Sequence, residues 1–247
     1  MAYNLTYPIK QKKNKMIFDP FLLVIMIVFA GIGFLVSRRL KKVFEEYSQV
    51  PLRSGLTGAQ IAAKMLNDHG IRDVNIVSVQ GKLTDHYNPT DKTVNLSPEV
   101  YGANSISAAA VAAHECGHAV QHATEYSWLQ MRSTLVPIVN FSNKALNWVY
   151  IGMIFLAFSS GMWDTMLLTI IVLQSAITVF TLITLPVEID ASNRALLWLN
   201  QSGLTQGEEH EKATTALNWA GRTYIVAALA SVTTLLYYVM RYMGGRD

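Results

Sequence analysis

Every residue from position 21 to position 36 is apolar or glycine. An uninterrupted run of this length is typical of a helix that crosses a membrane, because the hydrocarbon layer is about 30 Å thick and each helical residue spans about 1.5 Å of it. Residues 16–18 can extend the run, and the basic stretch 38–42 ends it without a small-residue cleavage site. The sequence therefore predicts an uncleaved transmembrane helix over residues 16–37, preceded by a polar segment, residues 1–15.

Three further apolar stretches lie in the second half of the chain, at residues 145–158, 166–185 and 223–240. Hydrophobic residues make up 51% of the sequence and charged residues only 15%. The hydrophobic residues are concentrated in long runs, which favours a membrane bundle with one small additional domain. The short loop between the first two stretches predicts an antiparallel helical hairpin. We expect transmembrane helices two and three within residues 145–186 and the fourth at residues 222–241.

Residues 52–133 have the pattern of a small soluble α+β domain. Thr57 and Gln60 are spaced as a capping box at the start of a helix, and Gly70 stands where that helix should end. Turn residues separate three short predicted strands, at residues 74–79, 82–87 and 93–96. The predicted fold class is therefore a mainly α integral membrane protein with four transmembrane helices and a small α+β domain.

The stretch His114-Glu115-Cys116-Gly117-His118 follows an alanine-rich run that is helical on propensity, capped by Ser105 or Ser107. On a helix, His114 and His118 lie one turn apart on the same face. Two imidazoles at this spacing can bind one zinc ion, and Glu115 can accept a proton from a water beside the metal. Gly117 lowers helix propensity, so we expect a functional reason for it.

Helical pattern continues over residues 121–144, where Pro137 is expected to kink or divide the helix. After the third predicted span comes a helical segment, residues 187–218, that begins with two carboxylates. A catalytic zinc needs a third protein ligand and one open position, and glutamate commonly completes a two-histidine site. We therefore predict Glu188 as the third ligand. Asp190 should hydrogen-bond a ligand histidine, or stabilise the N-terminus of the helix that follows.

His86 and Tyr87 lie at the loop end of the second predicted strand. A strand edge beside a zinc site can align a peptide substrate as an extra strand. Either side chain can also donate a hydrogen bond to the oxyanion that forms during peptide hydrolysis. The alternative is an ordinary polar hairpin with no chemical role.

Other functions remain open at this point. A non-catalytic membrane protein with a structural zinc needs a fourth ligand, for which His122 is the candidate, and it has no use for Glu115. A transporter needs ionisable groups inside its spans, and the stretches 21–36 and 166–185 contain none. The net charge of +3 is too small to indicate nucleic acid as a partner.

Four motifs together resemble a known family: His-Glu-Cys-Gly-His at 114–118, Leu-Thr-Asp-His-Tyr-Asn-Pro at 83–89, Leu-Val-Pro-Ile-Val-Asn-Phe at 135–141 and Leu-Pro-Val-Glu-Ile-Asp-Ala-Ser at 185–192. Over residues 52–240 the chain is similar to the bacterial membrane-bound neutral zinc metallopeptidases of the YugP-like group. The resemblance implies a zincin-like domain with glutamate as third ligand, which makes the chain a gluzincin. It assigns one zinc to His114, His118 and Glu188, and the role of general base to Glu115.

The resemblance also implies a hydrolase of protein or peptide substrates in the bacterial plasma membrane. Cys116 departs from the pattern, because an aliphatic residue is expected at its position. Its thiol is expected to fill space in the core, and metal ligation or redox sensitivity is the alternative.

Four spans place the segment with His114 and the segment with Glu188 on the same side of the membrane. Basic residues are slightly more numerous on that side: Arg38, Arg39, Lys41, Lys42, Arg132, Lys144, Arg194 and Arg222, against Lys10, Lys12, Lys13, Lys15, Arg241 and Arg246 on the other. The positive-inside rule therefore predicts a multi-pass protein with a cytoplasmic site and both termini outside.

Overall fold

The computed structural model describes residues 19–156 and 162–244. It contains seven helices and three strands in these residues. In chain order they are α1 Pro20–Ser48, α2 Gly58–Asp68, β1 Asn75–Ser78, β2 His86–Asn88, β3 Thr93–Leu96, α3 Pro98–Tyr101, α4 Ile106–Ala123, α5 Ser127–Leu156, α6 Trp163–Gln201 and α7 Glu208–Met243. The prediction of a mainly helical protein with a small sheet is confirmed.

Within the described residues, α1, α6 and α7 are long and apolar enough to cross a membrane. They contain the first, third and fourth predicted spans. The second predicted span, residues 145–158, begins in α5, and its last two residues lie outside the described ones. A fourth span therefore stays a prediction, and the polar segment 1–15 also lies outside the described residues.

The long helices pack with their neighbours antiparallel. Arg132 of α5 contacts Glu188 of α6, and Gly152 near the end of α5 lies next to Met166 near the start of α6. In the same way, Asp19 before α1 pairs with Arg241 of α7, and Arg39 lies over the Trp219 ring. The order of these contacts gathers Arg39, Arg132 and Glu188 toward one end of the bundle, but it places Lys144 halfway along α5, not at that end as predicted.

The small domain follows its predicted local signals. The Thr57 side chain accepts from the Gln60 N–H and the Gln60 side chain accepts from the Thr57 N–H, so the capping box of α2 is formed. Gly70 has a φ of 71°, which is the left-handed conformation expected after the helix. The sheet has the order β1-β3-β2, with β1 parallel and β2 antiparallel to β3.

The second strand was predicted too early in the chain. Residues 82–85 are not a strand, because Leu83 adopts a φ of 57° within a turn, and β2 begins only at His86. Asp85 accepts hydrogen bonds from the backbone and hydroxyl of Ser97, which ties this turn to the start of α3.

Helix α4 is the centre of the domain. Ser105 caps it by accepting from the Ala108 N–H, and 15 of its 18 residues are buried. The small alanine side chains let other elements pack closely on several sides of α4. These elements are α2, the sheet, and the parts of α6 and α7 that carry Trp198, Leu199 and Leu217. The zinc motif is therefore held inside a packed core.

Two helix boundaries differ from the prediction, both at proline. The break occurs at residues 124–126, where Glu125 has a φ of 52°, and α5 passes through Pro137 without interruption. Likewise Pro186 lies inside α6, so the third span and the segment with Glu188 form one helix to Gln201. Packing against neighbouring helices compensates for the backbone hydrogen bond that is lost at each proline.

Candidate metal centre

His114 and His118 of α4 face Glu188 of α6. The His114 Nε2 atom lies 3.4 Å from Glu188 Oε2, and the His118 Nε2 atom lies 3.6 Å from the same oxygen. One ligand atom from each residue lies within 4.8 Å of the other two. These three residues, called the metal group below, are brought together as the sequence predicted, although 70 residues separate His118 from Glu188.

Gly117 explains how the two helices approach so closely. A Cβ atom at this position would lie 2.5 Å from the backbone oxygen of Ala191 on α6. That is well inside contact distance, and backbone cannot move aside as a flexible side chain can. Glycine is therefore needed for packing at this position, one helical turn from Glu188. The reason for this glycine is therefore helix packing, and not the functional one that helix propensity led us to expect.

The second nitrogen of each histidine ring has its own partner. His114 Nδ1 lies 3.1 Å from Ser192 Oγ, and His118 Nδ1 lies 2.9 Å from Gln121 Oε1. The Gln121 amide nitrogen donates to the Val187 carbonyl and to Asp190, both at 2.8 Å. Because that nitrogen is occupied as a donor, Gln121 Oε1 accepts a hydrogen bond from the His118 Nδ1–H group. The Nε2 lone pair of His118 is thus left for a metal.

Asp190 does not bond a histidine directly, contrary to the prediction. Gln121 stands between Asp190 and His118, and the Asp190 carboxylate also accepts from Arg194 one turn along α6. Asp190 also lies in the middle of α6, so the alternative role at a helix N-terminus is wrong. Its contact with the metal group runs through one amide.

The Glu188 carboxylate is almost fully buried, with a side-chain exposure of 3%. Its Oε1 atom lies 3.3 Å from an Arg132 guanidinium nitrogen, and the Tyr224 phenol is also close. Among the described residues, Oε2 has no hydrogen-bond donor. A buried carboxylate oxygen that faces two imidazole nitrogens requires a cation, supplied either by protons or by a metal.

The ring of His118 shows the same requirement. Its burial opposes protonation, but the negative charge of the nearby Glu188 carboxylate outweighs this effect and raises the pKa of His118. In the absence of a metal, protonation of His118 is thus favoured by the charge of Glu188. The donor set and the electrostatics of the group are both those of a cation site.

The distances suit zinc. Zinc–ligand bonds of about 2.0–2.1 Å in a tetrahedron place neighbouring ligand atoms about 3.3 Å apart. The observed separations of 3.4 and 3.6 Å from Glu188 Oε2 agree with that geometry. Three protein ligands leave one tetrahedral position open, so the residues present fit a catalytic zinc site better than a closed structural one.

Glu115 is buried beside the metal group with an exposure of 8%. Its negative charge acts on both His118 and Tyr224. Cys116, by contrast, is fully buried on the other side of α4, where its thiol points to the Ala62 carbonyl. Burial, with the Glu115 charge as a smaller cause, raises the pKa of this thiol. Cys116 is a core residue, as the first of its two predicted roles requires.

The remaining predicted residues lie away from the three ligand atoms. The Tyr87 hydroxyl is 2.7 Å from His122 Nδ1, so these two residues are partners of each other. His86 is exposed on β2, with its Nδ1 atom 2.7 Å from the Thr84 carbonyl. Neither is part of the metal group in this structure, and their predicted roles stay predictions.

Sequence reasoning missed four residues around the metal group. Gln121 and Ser192 are one helical turn beyond His118 and Glu188, so helical spacing could have identified them. Arg132 and Tyr224 come from α5 and α7 and become neighbours only through tertiary packing. No local signal marks them.

Comparisons with known proteins agree with this geometry. Residues 22–243 match the family described as "Putative neutral zinc metallopeptidase". One curated relative is "Putative membrane protease YugP" of Bacillus subtilis (strain 168), which is 41% identical over 217 residues, or 88% of this chain and 94% of the relative. No solved structure matches the chain. The matched region contains the whole metal group.

Proposed function

Because the chain belongs to the family of neutral zinc metallopeptidases, we propose that it is a zinc-dependent endopeptidase of the plasma membrane that hydrolyses peptide bonds in protein substrates. One zinc ion per chain would be held by His114, His118 and Glu188. Glu115 would act as the general base.

The observation that carries this proposal is the open ligand set. Within the described residues the metal group has three members, and the buried Glu188 Oε2 atom points at two histidine nitrogens without a donor of its own. His122, the candidate fourth ligand of a structural site, is held by Tyr87 instead. A three-ligand site leaves room for water, which a structural zinc does not need.

The chain's own residues supply the rest of the chemistry. A bound zinc would supply the Lewis acidity that activates water and polarises the scissile carbonyl. Glu115 takes the proton from the attacking water and returns it to the leaving amine nitrogen. Arg132 neutralises part of the charge on Glu188, while Gln121 and Ser192 hold the two rings in place.

Substrate alignment is proposed along β2. Among the described residues this strand pairs with β3 alone and forms an edge of the sheet, so an extended peptide can add beside it. A cavity of about 350 Å³ lies between the turn after β2 and the start of α5, and Gln121, the partner of His118, lines it. His86 or Tyr87 would then contact the substrate backbone or the oxyanion.

The metal group lies close to the membrane surface in this proposal. The segments free of charged residues end at Ser37 on α1 and Val187 on α6, and begin at Thr223 on α7. Glu188 follows Val187 directly and is the first charged residue at this end of the α6 segment. This position corresponds to the boundary between the hydrocarbon and the lipid headgroups, so substrates would be cleaved at the bilayer surface.

Zinc content and turnover test the function together. Wild-type protein and the Glu115→Gln variant would be purified, their zinc measured by mass spectrometry, and both incubated with a peptide library from a bacterial proteome. We expect one zinc per chain in both proteins and new peptide termini only with the wild type. A metal-free wild-type protein, or cleavage by both proteins at equal rate, would contradict the proposal.

The orientation that we propose is four spans, a cytoplasmic site and both termini outside, on the basis of the basic residues around the site end of the bundle. Cysteines at exposed Thr90 and Gln206 in a Cys116→Ala background would test it with a membrane-impermeant thiol reagent in intact cells. Neither position should react before the cells are opened. Labelling at both would reverse the orientation, and labelling at one alone would refute the four-span arrangement.

A further inference from the structure

The outer face of α5 carries a polar stripe. It consists of Asn140, Asn143, Lys144 and Asn147, which are spaced three or four residues apart and therefore share one side of the helix. All four side chains are exposed. None of them makes a hydrogen bond or ion pair with another described residue. These four residues are called the α5 stripe.

The depth of the α5 stripe follows from the packing of α5 on α6. Arg132 is level with Glu188, and Gly152 is level with Met166. Interpolation between these two contacts places Lys144 level with about residue 175 of α6. The segment of α6 without charged residues is 165–187, so Lys144 lies close to its middle. Both ends of that segment are then at least about 15 Å away, too far for a lysine side chain to reach the membrane surface.

Polar groups at the same depth inside the bundle are paired. Gln174 of α6 donates to Ser231 of α7 at 3.2 Å, and Thr178 contacts the same hydroxyl at 2.8 Å. This pairing is expected, since hydrocarbon offers no partner for an amide or hydroxyl. The α5 stripe would face hydrocarbon unpaired, with three amides and one ammonium group. It therefore requires a cover that lies outside the described residues.

Charge decides what this cover is. In a dimer of parallel copies about an axis normal to the membrane, the Lys144 side chains would meet at the same depth and repel each other. A carboxylate at the middle of a partner helix would instead neutralise Lys144, and the three asparagines would hydrogen-bond polar groups beside it. Two large exposed aromatic side chains, Phe141 and Trp148, lie on the adjoining face and offer apolar contact area.

We infer that the α5 stripe binds a transmembrane helix of another protein that carries an aspartate or glutamate at the middle of its span. This surface is separate from the metal group, and it would recruit a membrane-embedded partner whether or not the chain is a peptidase. A substrate or a regulatory subunit can supply such a helix.

Binding of two synthetic probes tests the inference. Each probe is a single leucine- and alanine-rich transmembrane helix with a fluorescent label, identical except for aspartate or leucine at the central position. Association with the full-length labelled protein in liposomes is measured by energy transfer. We expect the aspartate probe to bind the wild type about tenfold more tightly, as interhelical polar contacts in membranes allow. Equal binding of both probes would overturn the inference.

Two variants make the test specific. Lys144→Met keeps the length of the side chain but removes its charge, and it should abolish the preference for the aspartate probe. The matched control is Lys42→Met, on the exposed surface of α1 beyond its apolar run, and it should keep the preference. Circular dichroism shows that both variants fold. Retention of the preference by Lys144→Met would refute the assignment. Disulfide-linked dimers of Asn143→Cys, expressed at the level of the wild type, would also refute it, because they would show a second copy of this chain at the stripe.

Discussion

Replacement of Gly117 by alanine perturbs the metal group without changing any of its ligands. The added Cβ atom would meet the Ala191 backbone oxygen at 2.5 Å. A carbon and an oxygen in ordinary contact are about 3.3 Å apart, so α4 and α6 must separate by close to 0.8 Å. Both histidines are on α4 and Glu188 is on α6, so the separation acts directly on the ligand distances.

Two opposing terms set the effect on stability. Alanine in place of glycine inside a helix stabilises it by about 1 kcal/mol, while an overpacked contact costs about 1–3 kcal/mol. The net change in the free energy of unfolding is then small, and it cannot be interpreted alone. Gly221 provides the matched control, because a Cβ there would have no neighbour within 4 Å. Gly117→Ala should therefore be less stable than Gly221→Ala by about 1–3 kcal/mol.

The effect on zinc should be larger than the effect on folding. The separations of 3.4 and 3.6 Å between the histidine nitrogens and Glu188 Oε2 would widen by about 0.8 Å. They would then be much longer than the distance of about 3.3 Å between two ligand atoms of a tetrahedral zinc. Displacements of this size typically cost about a hundredfold at a functional site. Competition with a chromophoric chelator should show zinc affinity at least about tenfold lower in Gly117→Ala and unchanged in Gly221→Ala. Wild-type zinc affinity in Gly117→Ala would refute the close approach of the two helices.

Three further predictions concern individual side chains. Glu188→Ala should lose zinc as severely as His114→Ala, since each removes one of three protein ligands, and a variant that keeps full zinc content would exclude that residue as a ligand. His86→Ala and Tyr87→Phe should lower turnover more than zinc content, measured on the same samples, and wild-type rates in both would return β2 to a structural role. Cys116 should react with a thiol reagent only after denaturation, because its side chain is buried, and rapid labelling of the folded protein would contradict this burial.

Local sequence predicted the features that depend on a few neighbouring residues. The capping box at Thr57 and the Ser105 cap each need one helical turn, and so does the pairing of His114 with His118. Glu188 could be predicted for a different reason, because zinc chemistry needs a third ligand and this carboxylate directly follows an apolar span. These signals were sufficient to identify the metal group.

What the sequence could not predict depends on contacts between distant segments. Proline favours a helix end locally, yet Pro137 and Pro186 lie inside continuous helices because neighbouring helices support them. Gly117 has a packing reason that appears only when Ala191 approaches it. The Asp190 carboxylate was correctly placed near the site, but its path to His118 required knowing that Gln121 is interposed.

The continuity of α6 gives the site its relation to the membrane. One helix crosses the apolar region, passes Pro186, provides Glu188, and then contributes Trp198 and Leu199 to the core around α4. A metal bound by α4 and α6 would therefore tie the soluble domain to a membrane helix. Without that cation, the buried Glu188 carboxylate opposes the close contact of the two helices, because its compensation then depends on histidine protonation. The position of the soluble domain on the membrane bundle and the geometry of the metal group therefore depend on the same contact, that of Gly117 with Ala191.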